Sequence, residues 1–256
     1  LSLQTMGGAL WAIVTDPAKV VSPNKGKNDV MVPPALALRA SLAPAVAEAR
    51  EMQAAAITAG APASSANTID LAIGYTQGFA TALGGQSAAV TRLNFLVEVG
   101  NQAFVNSLVD GYLRIVSTVQ VNYADNTDNE LALTQLTGHN GSSAVAVSSA
   151  LVPIRTARDQ YGADLAVLVR KFQTPENSGC GIAWLNGADE YPIEPSVDDD
   201  FGFAVISDGT DADTDGKTYF CSPETLVHEL GHLMGSAHDR DNSRDDQGAL
   251  QYGRYA

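Results

Sequence analysis

The sequence is poor in cysteine, in positive charge and in long apolar runs. Two cysteines in 256 residues exclude a scaffold held together by many disulfides. Acidic residues outnumber basic ones by 29 to 15, and the net charge of −14 argues against nucleic acid or anionic membrane surfaces as partners. No apolar run approaches the ~20 residues of a membrane-spanning helix. A hydrophobic fraction of 45% is typical of a soluble globular chain.

Histidine is also scarce, and three of the four histidines fall in the window HELGHLMGSAH at residues 228–238. His228 and His232 are four residues apart, so on a helix they project from one face. This geometry suits two imidazoles that share a tetrahedral Zn²⁺. Gly235 can end the helix in a left-handed conformation and bring His238 round to the same ion.

Three protein ligands leave one coordination position for water, which is typical of a catalytic zinc site. Glu229 follows the first histidine and can reach that water without binding the metal. The extended spacing HExxHxxGxxH is a metalloprotease signature. For the helix, the sequence predicts Ser222 as N-cap, Pro223 at the first helical position and Glu224 near the positive end of the dipole.

The stretch HELGHLMGSAHD resembles the zinc signature of the metzincin metallopeptidases, in particular the reprolysin-like branch. From about Thr68 to Ala256 the chain is similar to bacterial secreted members of that branch, including the peptidyl-Asp type. The resemblance implies zinc ligation by His228, His232 and His238. It also implies that Glu229 is the general base and acid.

The fold class implied by the resemblance is α+β, with an α/β-like arrangement. We expect a twisted, mostly parallel five-stranded sheet with two long helices and the active-site helix. The sequence has no Met-turn after the third histidine. We therefore expect the C-terminal subdomain to be truncated and the coding sequence to continue past Ala256 into a turn that contains Met, with a differently built floor of the zinc site as the alternative.

Alternating and continuous apolar patterns predict where these elements lie. The predicted strands are 68–76, 112–123, 163–171, 180–185 and 201–207. The predicted helices are a long one at 87–110, a short one at 129–137, and a second long one within 142–160 that Pro153 starts or bends.

The first 66 residues differ in composition from the rest. Residues 1–40 are interpreted as the remnant of a propeptide, with an N-terminal β-hairpin packed on the domain as the alternative. Residues 41–66 are predicted to form an Ala-rich helix and a linker that is cut on maturation. The catalytic domain is assigned to 67–256. Residues 1–40 contain no cysteine, so a Cys-to-zinc latch is excluded there.

From the protease interpretation we expect export, with a signal peptide that preceded Leu1 and was removed. An oxidising compartment favours a disulfide between Cys180 and Cys221 over two buried free thiols.

The segment Gly181, Ile182, Ala183 and Trp184 has two interpretations of equal weight. It is either the cleft rim that receives substrate by backbone pairing, or a core strand with Trp184 buried.

An acidic segment precedes the active-site helix. Asp211, Asp213 and Asp215 match three positions of a calcium loop, but Ser222 stands where an EF-hand needs Glu. The segment is interpreted as a solvated acidic turn, with a calcium site of another kind as the alternative. His139, the histidine outside the motif, is interpreted as part of a solvated turn without a zinc role.

These observations predict a secreted zinc-dependent endopeptidase that acts on a protein or peptide substrate. Zinc is the predicted cofactor, with calcium as a further candidate, and the sequence does not predict an oligomeric state. One alternative is a catalytically silent zinc-binding domain that acts in adhesion or inhibition. Another is hydrolysis of a non-peptide amide or ester by the same residues.

Overall fold

The computed structural model describes residues 2–6, 9–13, 29–34, 67–188, 192–194, 198–214 and 216–238. The predicted helix and linker at 41–66 lie outside the described residues. The domain boundaries proposed from the sequence therefore stay predictions.

The described strands are β1 (Ser2–Met6), β2 (Ala9–Ile13), β3 (Val30–Met31), β4 (Thr68–Thr76), β5 (Tyr112–Val121), β6 (Leu165–Lys171), β7 (Gly181–Trp184), β8 (Phe203–Ala212) and β9 (Thr218–Cys221). The described α-helices are α1 (Gln77–Leu83), α2 (Gln86–Asn106), α3 (Asn129–Thr137), α4 (Val152–Tyr161) and α5 (Thr225–Leu233). Strands β1 and β2 form an antiparallel pair of their own.

The main sheet has the strand order β3-β7-β8-β6-β4-β5, and β9 pairs with β8. Strands β5, β4, β6 and β8 run parallel, whereas β7 runs antiparallel to β8. All five predicted strands are present, and the mainly parallel α/β architecture is confirmed. Within the described residues the sheet is larger than predicted, because β3 and β9 extend it to seven strands.

Strand β6 lies in the middle of this sheet, and its sequence explains the position. Its continuous apolar run predicts a strand covered on both faces. Residues 166–169 have no exposed surface, which confirms that prediction. Burial of these side chains is the main stabilising term available to a central strand.

Two helices cover opposite faces of the sheet. Asn101 of α2 binds both backbone groups of Leu113 on β5, and Ile154 of α4 lies against Gly74 on β4. Ile69 is paired with Leu113, and because Cα–Cβ directions alternate along a strand, a Cβ at position 74 would point to the face opposite to that of Ile69. The opposite placement agrees with right-handed crossovers between parallel strands.

The predicted second long helix is wrong in length, since α4 begins only at Val152. Pro153 lies in its first turn, because proline has no N–H to donate and clashes with a preceding turn.

Helix α1 was not predicted. Thr76 caps it by accepting a bond from the N–H of Phe79, and Gly84 ends it in a left-handed conformation. No described helix is long and apolar enough to cross a membrane.

The active-site helix begins later than predicted. Helix α5 starts at Thr225, and its N-cap residue Glu224 makes no side-chain capping bond. The predicted N-cap Ser222 instead belongs to the preceding turn, where its carbonyl accepts a bond of 3.0 Å from the N–H of Thr225. Helix α5 packs against α2 and against strands β7 and β8.

Cys180 and Cys221 form the predicted disulfide, with Cα atoms 5.4 Å apart. It joins the residue before β7 to the last residue of β9, and α5 follows four residues later. The bond therefore holds the start of β7 close to the approach to the active-site helix.

Replacing both cysteines with Ala should lower the free energy of unfolding by roughly 3–4 kcal/mol, because the bond closes a loop between residues 41 apart. Denaturant unfolding without reductant measures the loss. Parent protein treated with reductant should behave like the double variant. An unchanged free energy of unfolding in both samples would contradict a stabilising role.

Candidate metal centre and active site

Helix α5 places two imidazoles side by side. His228 and His232 are one helical turn apart, and their Nε2 atoms are 3.1 Å from each other. Their ring centroids are 4.7 Å apart, with the planes nearly perpendicular. Both Nε2 atoms therefore face the same small volume.

The third imidazole arrives by a turn. Gly235 has a φ of +91°, a left-handed conformation that glycine adopts without strain. The Ser236 N–H donates to the Gly231 carbonyl across this turn at 2.9 Å. His238 then lies with its Nε2 atom 3.1 Å from that of His228. The structure thus brings together the three histidines of the motif, as the sequence predicts.

The spacing of these nitrogens fits a tetrahedral zinc ion. Zn–N bonds of 2.0–2.1 Å at tetrahedral angles place ligand nitrogens about 3.3 Å apart. The two Nε2 separations of 3.1 Å are close to this value.

The environment of His232 also fits a metal ligand. Its Nδ1 lies 2.7 Å from the Ser236 carbonyl, to which a protonated Nδ1 donates. That tautomer leaves the Nε2 lone pair facing the other histidines. Burial, followed by the charge of His228, lowers the pKa of His232 to about 4. The ring is therefore neutral at neutral pH, the form that binds metals.

Glu229 lies beside this cluster and is almost fully buried. Its Oε2 is buried and has no hydrogen-bond partner among the described residues. Burial and then the negative charge of Asp29 raise the pKa of the Glu229 carboxyl well above its usual range. An unpartnered buried carboxyl with a raised pKa suits a group that exchanges protons with a bound water.

Strand β7 limits where the Glu229 side chain can lie. Gly181 is so close that a Cβ atom there would lie 2.7 Å from Cγ and Cδ of Glu229. Real Cβ atoms essentially never approach so closely, so a larger residue would displace the carboxyl. Gly181 therefore makes room for Glu229 in its present position.

The two interpretations of residues 181–184 describe different sides of the same strand. Trp184 is fully buried, its Nε1 donates to Thr137 Oγ1 at 2.8 Å, and its ring lies edge-to-face on Phe201. The core placement of Trp184 is therefore confirmed. Along its backbone, β7 also pairs with β3 next to the histidines. The role of β7 as a rim for substrate stays a prediction.

Asp29 is the residue that the sequence analysis missed. Its carboxylate oxygens lie 3.2 Å from His228 Nε2 and 3.1 Å from His238 Nε2. Asp29, His228, His232 and His238 form a group with ligand atoms within 4.8 Å of one another. No local pattern marks Asp29, because 199 residues separate it from His228.

The acidic segment lies in the hairpin of β8 and β9, with Asp211 on β8 opposite Tyr219 and Asp213 in the turn. Asp211 accepts a bond from the Thr174 N–H at 3.0 Å, and Asp213 binds the N–H and hydroxyl of Thr214. Asp215 lies outside the described residues, so calcium binding stays a prediction.

His139 does lie in a turn, but the turn is not solvated there. The ring is buried and packs edge-to-face on Phe201, and its Nδ1 accepts a bond from the Gly141 N–H. His139 lies outside the cluster around His228.

Comparisons with known proteins agree with this geometry. Residues 65–252 match the family described as Reprolysin_4, metallo-peptidase family M12B reprolysin-like. A peptidyl-Asp metalloendopeptidase of Pseudomonas aeruginosa is 26% identical over 202 residues, covering 77% of this chain and 29% of that protein. The chain thus spans less than a third of this relative.

A solved structure described as a chaperone–substrate complex is also similar, with a TM-score of 0.48 and 20% identity. The match covers 68% of this chain and 24% of the other. The family match extends over most of the sequence and includes all three clustered histidines and Glu229. The chain therefore belongs to the reprolysin-like metallo-peptidases of family M12B.

Proposed function

We propose that the chain is a zinc-dependent endopeptidase that hydrolyses peptide bonds in proteins or peptides. The observation that carries the proposal is the convergence of three imidazole Nε2 atoms beside a buried, unpartnered carboxyl. His228, His232 and His238 would hold the ion. When bound there, zinc supplies a Lewis acid that polarises the substrate carbonyl and lowers the pKa of water toward ~7.

Glu229 performs the proton transfers of the proposed reaction. It takes a proton from the attacking water as the water oxygen bonds to the carbonyl carbon. It then gives that proton to the amide nitrogen as the C–N bond breaks, so the products are a carboxylic acid and an amine. The buried position of Glu229 suits this role, because burial raises the pKa of its carboxyl above the usual range and so makes the carboxylate a stronger base.

Strand β7 would align the substrate. The N–H groups of Ala183 and Leu185 point out of the strand edge, where they donate to carbonyls of the β3 segment. An extended peptide can accept the same bonds in a way that does not depend on its sequence. The rim role of residues 181–184 is thus supported by the backbone donors on the outer side of β7, where the two-residue strand β3 pairs with it, and by the closeness of Gly181 to Glu229.

We also propose that the protein acts outside the cell. The Cys180–Cys221 disulfide supports this location, because disulfides persist in oxidising compartments. The relative from Pseudomonas aeruginosa is named for peptidyl-Asp cleavage, and its similarity supports peptide-bond hydrolysis by this chain.

The assignment predicts different outcomes for two substitutions. Glu229→Gln keeps the size of the side chain but removes its basicity, so peptide cleavage should fall by ~10²–10⁴-fold. Its zinc content should stay near that of the parent. His232→Ala should lose both zinc and cleavage. Elemental analysis and cleavage of an unfolded protein measure the two quantities.

If Glu229→Gln cleaves as fast as the parent, Glu229 is not the base. If the parent binds zinc and neither it nor any variant cleaves, the silent zinc-binding domain is the correct interpretation.

Gly181→Ala tests whether β7 positions Glu229. The new Cβ would collide with Cγ and Cδ of Glu229 rather than with a histidine, so the carboxyl must leave its present position. Zinc content should therefore be retained while cleavage falls by about 10²-fold or more, since the base is displaced.

Gly231→Ala is the matched control within α5. Its Cβ would meet no atom closer than Ser236 Cβ at 3.8 Å, an ordinary contact. Cleavage should be unchanged and stability should rise by about 0.5–1 kcal/mol, because glycine in a helix interior is unfavourable. Equal cleavage by Gly181→Ala and the parent would show that β7 does not position Glu229.

A further inference from the structure

We propose that Asp29 is a fourth ligand of the metal and that residues 29–34 block the cleft as an internal segment. This inference rests on the proposed peptidase function and assigns the same site a built-in latent state.

The first observation is the position of the Asp29 carboxylate. One oxygen lies 3.2 Å from His228 Nε2, and the other lies 3.1 Å from His238 Nε2 and 3.9 Å from His232 Nε2. Ligand atoms at the corners of a zinc tetrahedron are about 3.3 Å apart. Asp29 therefore stands at the corner that the three histidines leave open.

The second observation is the backbone of the same segment. Strand β3 pairs in parallel with β7, in the register Val30 to Ala183 and Met31 to Trp184. The Ala183 N–H donates to the Asp29 carbonyl at 3.0 Å, and the Leu185 N–H donates to the Met31 carbonyl at 2.8 Å. The edge donors that we assign to substrate are thus already used by the chain itself.

The pairing is short, and the sequence explains why. Pro33 and Pro34 have no N–H to donate, so the ladder cannot continue past Val32. Both prolines are buried, which anchors the end of the segment beyond the last pair. A segment that pairs over two residues and then stops can fill the cleft beside the metal without becoming a permanent part of a long sheet.

A carboxylate oxygen is one of the ligand atoms that Zn²⁺ takes, beside histidine nitrogen and cysteine sulfur. With a carboxylate in the fourth position, neither water nor a substrate carbonyl can take it, and a closed four-ligand zinc site is not catalytic.

The test replaces Asp29 in the full chain. Asp29→Ala and Asp29→Asn should hold zinc about tenfold more weakly or worse in competition with a chelator, since even the loss of residues behind the ligands costs 10–100-fold. The visible absorption of the cobalt-substituted protein should change, because one coordinating oxygen is lost. Cleavage of an unfolded protein should rise at least tenfold over the parent, as both block and ligand are removed.

Glu98→Gln is the control for loss of one negative charge, since Glu98 is exposed on α2. It should leave zinc affinity, the cobalt spectrum and cleavage as in the parent. Asp29→Glu keeps the carboxylate and should restore part of the zinc affinity.

The outcomes separate this inference from the proposed function. Unchanged zinc affinity and an unchanged cobalt spectrum in both Asp29 variants would overturn the ligand assignment, even if the protein cleaves peptides. Weaker zinc binding without higher cleavage would overturn the block. Weaker zinc binding with no cleavage by parent or variant would keep Asp29 as a ligand and refute the peptidase function instead.

Discussion

The structure depends on the requirement that three ring nitrogens point at one volume about the size of an ion. The i, i+4 spacing on α5 aligns two of them, and the left-handed Gly235 adds the third. Three neutral imidazoles that face one another without a cation would leave lone pairs opposed. A bound cation removes that repulsion, so metal binding and the conformation of residues 225–238 stabilise each other.

The larger fold serves to hold α5 against β7. Helix α2 supports α5 from the side away from the cleft, and the disulfide keeps the start of β7 near the end of β9. Strand β7 runs antiparallel to β8 and contacts Glu229 at Gly181, and on its other side it pairs over two residues with β3. The backbone donors of β7 and the Glu229 carboxyl therefore lie close together.

Features encoded in short windows could be predicted from the sequence. The spacing of the histidines, the alternating strands and the apolar run of β6 each depend on residues that are near neighbours in the chain. The errors arose where the structure depends on distant partners. The second long helix was predicted too long, although Pro153 marked its start correctly, since α4 begins at Val152 with Pro153 in its first turn.

Long-range polar contacts were likewise invisible in the sequence. Arg170 ends the apolar run of β6 and would be expected at the surface, yet it is fully buried. It donates to the carbonyls of Ala124, Asp125 and Thr127, three residues of one loop. Asp29 was missed for the same reason, because only the folded chain brings its carboxylate close to the three histidines. Residues far apart in sequence leave no periodic signal when they share a site.

Strands β3 and β7 belong to one polypeptide, so their pairing is first-order and does not depend on the protein concentration. A six-residue peptide offering the same two backbone bonds would be held weakly from free solution. Within one chain, the local concentration of such a segment is on the order of millimolar for a short connection. A single cut between residues 34 and 67 makes the pairing depend on the concentration of the released segment. Dilution then separates the segment from β7, although no contact between them has changed. Such a cut is irreversible, so the contact can be restored only by synthesis of a new polypeptide.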